Sequence, residues 1–411
     1  MSQAGAGAGG SAGSAPAARP TLVAIYRPVF AVLLGCLWFE LAIGLGMPLI
    51  TVQLVGHQVG TGLIGIISSA YYVGFILGTL SCATIIDRVG HIRAFAVFSV
   101  LACSVFLLFA LTLPPWPWLI WRAALGYVMA GIFVVVESWL NDRATPATRG
   151  RIFAAYQVTG WGAGGLAPLA MNMTDPMGPD LLMVAAMLFA LAVIPMALTR
   201  AGSPDIGQRT RLGLRALYAA SPVGFTVCFG AGLISSAFFG LLPVYADAVG
   251  RTTGELTIIL FVATLGGFLV QVPAGYASDR LGRRPLILLA LGVMAATAVA
   301  ALVLPNQGLV ALSLLAFAFS FGYGPLYALG VAQTNDRLTA KDFVAASGGL
   351  LCAWAVGASV GAAVCAQVMD VMGPQGLFVF EVAVIAIVAL VTLYRMTRRP
   401  APVRADGGGA A

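Results

Sequence analysis

Long apolar runs are the feature that most limits what this chain can become. Almost every stretch between residues 28 and 394 is apolar for about 18 residues or more. Only 9% of all residues are charged, and the mean hydropathy is +0.96. Lipid is the solvent that suits such surfaces, and in lipid each backbone amide needs a partner within its own segment. Because the alternation typical of barrel strands is missing, the sequence predicts an all-α membrane protein.

The chain is predicted to cross the membrane twelve times. A helix needs about 20 residues to cross a hydrocarbon core of about 30 Å, and each run is close to that length. The runs are numbered as spans 1 to 12 and cover residues 29–51, 61–86, 94–113, 118–140, 152–171, 181–199, 221–245, 255–278, 285–304, 308–334, 343–368 and 375–394.

The basic residues predict the orientation of these spans. All 22 Lys and Arg residues except Arg122 and Arg251 lie on one face, in the two chain ends and in the loops after spans 2, 4, 6, 8 and 10. Such a bias places that face in the cytoplasm. We therefore expect a multi-pass protein of the bacterial inner membrane with both termini cytoplasmic. The formal charge of +7 follows from insertion and from attraction to anionic lipid, so it requires no nucleic-acid partner.

The chain ends are expected to be disordered, and the cysteines are expected to be buried. Residues 1–24 and 396–411 are predicted to be disordered tails because they lack a long apolar run. The N-terminal stretch does not resemble a signal peptide. All six cysteines fall within apolar runs, where they are expected to be small buried side chains rather than disulfide partners.

Two short motifs each occur twice at nearly the same spacing. "IIDRVGHIR" (85–93) follows span 2 and "ASDRLGRRP" (277–285) follows span 8, so that Asp87 and Asp279 are 192 positions apart. "LNDR" follows span 4 and "TNDR" follows span 10, with Asn141 and Asn335 194 positions apart. This spacing predicts two parallel six-helix halves, residues 25–199 and 221–395, joined by a basic linker at 200–220.

These motifs resemble the signature loop of the major facilitator superfamily. Its Gly-x-x-x-Asp-Arg-x-Gly-Arg-Arg pattern is matched by Gly275, Asp279, Arg280, Gly282, Arg283 and Arg284. The first copy departs from it at Ala83 and His91 and places Arg93 one position late. "RAALGYVMAG" (122–131) is similar to the superfamily's span-4 signature. "VVVESWLND" followed by "RGRIFAAY" resembles the YcaD-like branch.

The resemblance implies a twelve-helix transporter whose two halves are latched at the cytoplasmic face when that face is closed. One latch would consist of Asp87, Arg88 and Arg93 with Glu137 or Asp142. The other would consist of Asp279, Arg280 and Arg284. Gly90 and Gly282 would allow the tight turns within the motifs. The simpler interpretation, in which these charges only anchor the topology, stays open.

Four ionisable residues lie inside the predicted spans: Glu40, Arg122, Glu137 and Glu381. Burying a charge in lipid is costly, so such residues indicate function by default. Glu40 and Arg122 differ in depth by about 10 Å, which two long side chains could partly bridge. A carboxylate that pairs with Arg122 in one state and meets water in another could couple proton flow to the conformational change. Glu381 is expected to reach the surface or pair locally, because the last helix usually packs outside in the resembled fold.

Eight aromatic side chains in the spans are candidates to line a cavity, although packing in the core or against lipid is the simpler interpretation for each: Trp38, Tyr71, Trp121, Trp161, Phe238, Tyr323, Tyr327 and Trp354. Five prolines are expected to kink their helices: Pro48, Pro168, Pro243, Pro273 and Pro325.

The sequence predicts a secondary transporter rather than an enzyme. The only histidines, His57 and His91, are predicted on opposite faces, no pair has metal-ligand spacing, and no Walker-type loop is present. No cofactor or metal is expected, and the partners are a small solute, a proton or other ion gradient and the bilayer, with a monomer as the expected state.

Uptake of a small organic anion is favoured, with Arg122 as counter-charge. Efflux of an apolar or cationic compound through Glu40, and a non-transporting sensor on the same fold, stay open. The identity of the solute does not follow from the sequence.

Overall fold

The computed structural model describes residues 26–27, 29–145, 148–199, 213–304, 308–339 and 342–398, without the side chains of Asp279 and Val344. The predicted tail 1–24 and most of the tail 396–411 lie outside these residues, as do residues 200–212 of the linker. Within the described residues the secondary structure is helical throughout. The chain is therefore an all-α bundle, as the apolar runs predict.

The helices agree with the predicted spans within a few residues at most ends. The linker ends in a short helix, Leu214–Ala220. Span 12 continues past residue 395, the predicted end of the C-terminal half. The spans are Phe30–Gly56, Thr61–Val89, His91–Leu111, Trp116–Arg143, Arg149–Leu166 continued by the 3₁₀ helix Ala167–Asn172, Asp180–Ala197, Pro222–Ala248, Thr253–Leu269 with Gln271–Leu281, Arg283–Val303, Leu309–Tyr323 with Leu326–Asn335, Phe343–Met372 and Gly376–Arg398.

Eleven of these spans are long and apolar enough to cross a membrane, as judged over the described residues. Span 5 is the exception. Its helix contains two arginines, a glutamine and five glycines, and it becomes a 3₁₀ helix at Ala167, next to Pro168. Span 5 therefore crosses as a helix with less apolar surface than its neighbours, which suits a position between the halves.

Proline breaks some spans and not others. Span 10 is interrupted just before Leu326 by Pro325, and span 8 is interrupted at Val270, three residues before Pro273. Pro48 and Pro243 instead lie inside continuous helices, so the predicted kinks there are not interruptions. Neighbouring helices can re-satisfy the carbonyl groups that proline frees.

The loops divide the bundle into two faces. We call the face with the loops after spans 2, 4, 8 and 10 the basic face and the other the opposite face. Two turns on the basic face have the same backbone: Gly90 has φ 83° and ψ 162°, and Gly282 has φ 88° and ψ 160°. Only glycine adopts this region readily. The two copies of the sequence motif therefore fold into equivalent turns.

Within each half the helices approach closely where glycines meet. Spans 2 and 4 are joined at Gly74 and Gly126, where a methyl group on either residue would overlap the backbone of the other helix. Spans 7 and 11 meet in the same way at Gly232 and Gly357. Small residues permit such backbone contact, which supports helix association without a hydrophobic driving force.

The halves meet toward the opposite face. Span 2 packs against span 11, where the amide of Ala363 donates to Oγ of Ser69 at 3.0 Å and Gly65 lies against Ala366. Span 5 packs against span 8, where Nδ2 of Asn172 donates to Oγ1 of Thr257 at 2.9 Å. These two seams close the bundle on the opposite face.

Candidate functional site

Glu40 lies about fifteen ångströms along span 1 from its basic-face end. Its side chain is half-buried and its carboxylate lies against Gly160 of span 5, so that a methyl group at position 160 would be 3.4 Å from Oε1. In the described part of the chain no ion pair involves Glu40. The carboxylate is therefore held between two helices with no counter-charge from the described residues.

Glu137 joins Glu40 in one cluster although 97 positions separate them. Glu137 is exposed, and Tyr156 of span 5 is nearly buried and interacts electrostatically with both carboxylates. Cys36, one turn before Glu40, also interacts electrostatically with both carboxylates. Tyr327 of span 10 interacts with Glu137 from the other half. The carboxylate cluster, defined as Glu40, Glu137 and Tyr156, therefore lies on the basic-face side between the halves.

Arg122 lies deeper, toward the opposite face. Its side chain is 1% exposed, and its Nη1 donates to Sδ of Met47 at 2.8 Å. Its Nε has no acceptor among the described residues. Tyr71 and Tyr72 of span 2 interact with it electrostatically. No carboxylate among the described residues pairs with it. Arg122 is therefore a buried cation beside two tyrosines and a methionine.

The predicted contact between Glu40 and Arg122 is not formed in this state. Met47 accepts the hydrogen bond from the Arg122 guanidinium. It is seven positions beyond Glu40, or about 10 Å along the helix. The depth difference expected from the sequence is therefore present, and the side chains do not bridge it. Pairing in another state stays a prediction.

One of the candidate aromatic residues, Trp354, meets aromatic rings of the other half. The ring centroids of Tyr72 and Trp354 are 5.6 Å apart, and those of Phe75 and Trp354 are 6.5 Å apart. Tyr323 of span 10 lies near Ser235 and Trp354. Spans 2, 10 and 11 are thus connected at mid-membrane by polar aromatic groups. Tyr72 and Tyr156 were not singled out from the sequence, because helical rotation about the axis is not visible in an apolar run.

The first signature copy shows no latch in this state. Asp87, Arg88 and Arg93 are all exposed, and none of them forms an ion pair within the described ranges. Asp142 pairs instead with its neighbour Arg143, with Oδ2 and Nε 3.3 Å apart. Because the resembled latch belongs to the state with a closed basic face, it stays a prediction for that state.

In the second copy the ion pair is formed by an arginine outside the predicted latch. Nε of Arg283 lies 3.3 Å from Oδ2 of Asp336, at the end of span 10, and Arg283 also donates to Oγ of Ser278. Arg284 is buried and Arg280 exposed. Asp279 and Gly275 lie in the helix that ends at Leu281. The contact lies within the C-terminal half, so it fixes span 8 to spans 9 and 10.

The position of Glu381 differs from the expectation that it would reach the surface or pair locally. The side chain is 0% exposed, so it does not reach the surface. Neither carboxylate oxygen has a hydrogen-bond partner in the part of the chain that the structure describes. Span 12 packs against spans 7, 9 and 11, which turn this face of the helix toward the interior. The assumption that the last helix lies outside was wrong for this residue.

Comparison with known proteins identifies the fold. The profile of the Major Facilitator Superfamily matches residues 32–263 and 224–410. The chain is 26% identical to the uncharacterized transporter YcaD of Escherichia coli over 379 residues, which cover 92% of this chain and 98% of YcaD.

Two solved structures share the architecture at low sequence identity. A variant of the nucleoside transporter NupG superposes with a TM-score of 0.73 at 13% identity, covering 89% of this chain and 98% of that one. The human organic anion transporter MFSD10 superposes with a TM-score of 0.68 at 16% identity, covering 90% and 99%.

Proposed function

The chain belongs to the major facilitator superfamily of membrane transporters, and we propose that it imports a small organic anion together with protons. The two six-helix halves would rock about a central site between them. The basic face would be cytoplasmic, as the distribution of arginine predicts.

The state of Arg122 is the observation that carries this proposal. A guanidinium that is 1% exposed and lacks a carboxylate partner among the described residues is costly to bury. An anionic solute would supply the missing counter-charge. The planar fork of arginine matches carboxylate and phosphate groups. MFSD10, which has the same fold, is described as an organic anion transporter, and this supports the same class of solute.

The arrangement of the halves supports alternating access. Contacts at Ser69–Ala363 and Asn172–Thr257 join the halves toward the opposite face, whereas Glu137 is exposed on the basic-face side. In this state a solute would leave toward the cytoplasm. Parting of the two seams would expose Arg122 to the periplasm, where it would receive the next anion.

The carboxylate cluster supports proton coupling. Glu40 and Glu137 lie between the halves, and among the described residues neither has a cationic partner. A carboxyl group that meets water in one state and a partner in the other binds its proton with different affinity in the two states. This difference is the requirement for coupling a gradient to the conformational change.

A second candidate is the efflux of organic cations. The same cluster favours it, because Tyr156 interacts electrostatically with both carboxylates and Tyr327 with that of Glu137. Carboxylates and aromatic faces both attract cations. The anion proposal rests on Arg122 and the cation alternative on Glu40 and Glu137, so variants of these residues distinguish them.

The test is flux into liposomes under an inward proton gradient, with panels of small carboxylates, phosphate esters and organic cations. We expect uptake of an anion, and a loss of about 100-fold or more with Arg122→Gln, since removing one partner of a buried charge pair is strongly unfavourable. Arg251→Gln is the matched control, because Arg251 pairs with Glu255 on the opposite face. Flux of cations alone would contradict the proposal, and binding without flux would favour a sensor.

A further inference from the structure

Glu381 is a second acidic site, separate from the carboxylate cluster. It lies five positions into span 12, or about 8 Å from the opposite-face end of the helix. Neighbouring residues on its own helix, including Leu377, Val384 and Ile385, are buried and apolar. The carboxylate cluster, by contrast, lies in the N-terminal half on the basic-face side.

No described group compensates a negative charge at this position. Both carboxylate oxygens are buried and have no hydrogen-bond partner among the described residues. The titratable neighbours are Tyr323 of span 10 and Cys365 of span 11. From span 7, Tyr245 contacts Phe378, one turn away. The arginines of span 9 lie at its far, basic end. An ionised carboxylate would stay unpaired here, so the neutral acid is the form that this state accommodates.

Electrostatic and ring contacts connect Glu381 to the boundary between the halves. A negative charge on Glu381 would act on Tyr323 of span 10. Trp354 contacts Tyr72 of the N-terminal half, and Tyr72 interacts with both Tyr323 and Arg122. A change of charge at Glu381 therefore acts on the aromatic groups that join the halves.

We propose that Glu381 is a proton-binding site that controls the equilibrium between the two states of the transporter. The site holds its proton while the opposite face is closed, and its ionisation favours the state in which the seams part. The inference rests on the proposed function only in requiring two alternating states, and not in the class of solute.

Whether Glu381 carries a proton is tested by pH-difference infrared spectroscopy of the full chain in liposomes. We expect the carbonyl band of a neutral carboxylic acid in the wild type, its loss in Glu381→Gln and its retention, shifted, in Glu381→Asp. Glu40→Gln is the control and should remove a different signal. If Glu381→Gln retained every carboxylic-acid band of the wild type, Glu381 would carry no proton and the proposal would be wrong.

The control of conformation is tested without any solute, so failure here is separate from failure of the anion proposal. Spin labels on Met173→Cys and Val371→Cys, both exposed at the opposite face, report the separation of the halves. One linked proton changes the ratio of states by up to about tenfold per pH unit. We expect raised pH to depopulate the closed state, and Glu381→Gln to weaken this dependence by up to that factor. An unchanged dependence in the variant would overturn the proposal.

Discussion

At the scale of single residues, Glu40 has the most direct expected effect on coupling. Glu40→Gln removes the proton while preserving size, so we expect loss of uphill uptake with exchange of solute across the membrane left intact. The measurement is flux with and without a pH gradient, set beside counterflow of labelled solute. Unchanged uphill uptake would remove Glu40 from the mechanism.

Gly282 allows a second prediction with a control in the same motif. A side chain at φ 88° is strained, and such strain costs about 1–3 kcal/mol. We expect Gly282→Ala to lower the thermal stability of the purified protein. Gly275 lies in a helix with no atom near its missing Cβ, so Gly275→Ala should keep or raise stability. Equal effects of the two variants would show that the turn does not require glycine.

The sequence identifies charged residues better than it identifies their partners. Glu40, Arg122 and Glu137 stand out because each interrupts an apolar run, and the rise of the helix correctly separates Glu40 from Arg122 in depth. The contact between Arg122 and Met47 could not be foreseen, because a thioether carries no signal in an apolar segment. The burial of Glu381 was missed because it depends on which face of span 12 turns inward.

At the scale of elements, the seam between spans 5 and 8 is expected to control opening. Asn172 and Thr257 touch across this seam, so a disulfide between Asn172→Cys and Thr257→Cys should hold the opposite face closed. We expect oxidation to stop transport and reduction to restore it. Each single-cysteine variant is the control for the native thiols, and undiminished transport by the cross-linked protein would contradict a moving seam.

Apolar length and local interruptions decide how well each element can be predicted. Spans such as 3 and 9 are continuous apolar helices and were found within a few residues. The predicted kinks at Pro168, Pro273 and Pro325 lie at or near the irregular parts of spans 5, 8 and 10. The sequence did not distinguish them from Pro48 and Pro243, because proline interrupts a helix only where neighbouring packing allows it. Pro48, inside a continuous helix, shows the opposite outcome from Pro325.

At the scale of the whole molecule, the repeat connects sequence to mechanism. Equivalent motifs fold into equivalent turns at Gly90 and Gly282, whereas the chemistry of the halves differs. The carboxylate cluster lies in the N-terminal half and Glu381 in the C-terminal half. The shared pattern is therefore the framework that lets the halves rock, and the charges that break the symmetry are the residues proposed to bind solute and protons.

The orientation of this framework is the premise for the direction of transport, and it has a direct test. Reporter tags inserted after Gly56, in the loop on the opposite face, and after residue 212, outside the described residues, should report from different compartments. A third tag at Ala144, in a loop of the basic face, should agree with the tag at 212, because the distribution of arginine predicts that both positions are cytoplasmic. If the tags at 56 and 212 reported from the same compartment, the number of membrane crossings between them would be even rather than odd. The prediction that Arg122 lies toward the periplasm would then be wrong.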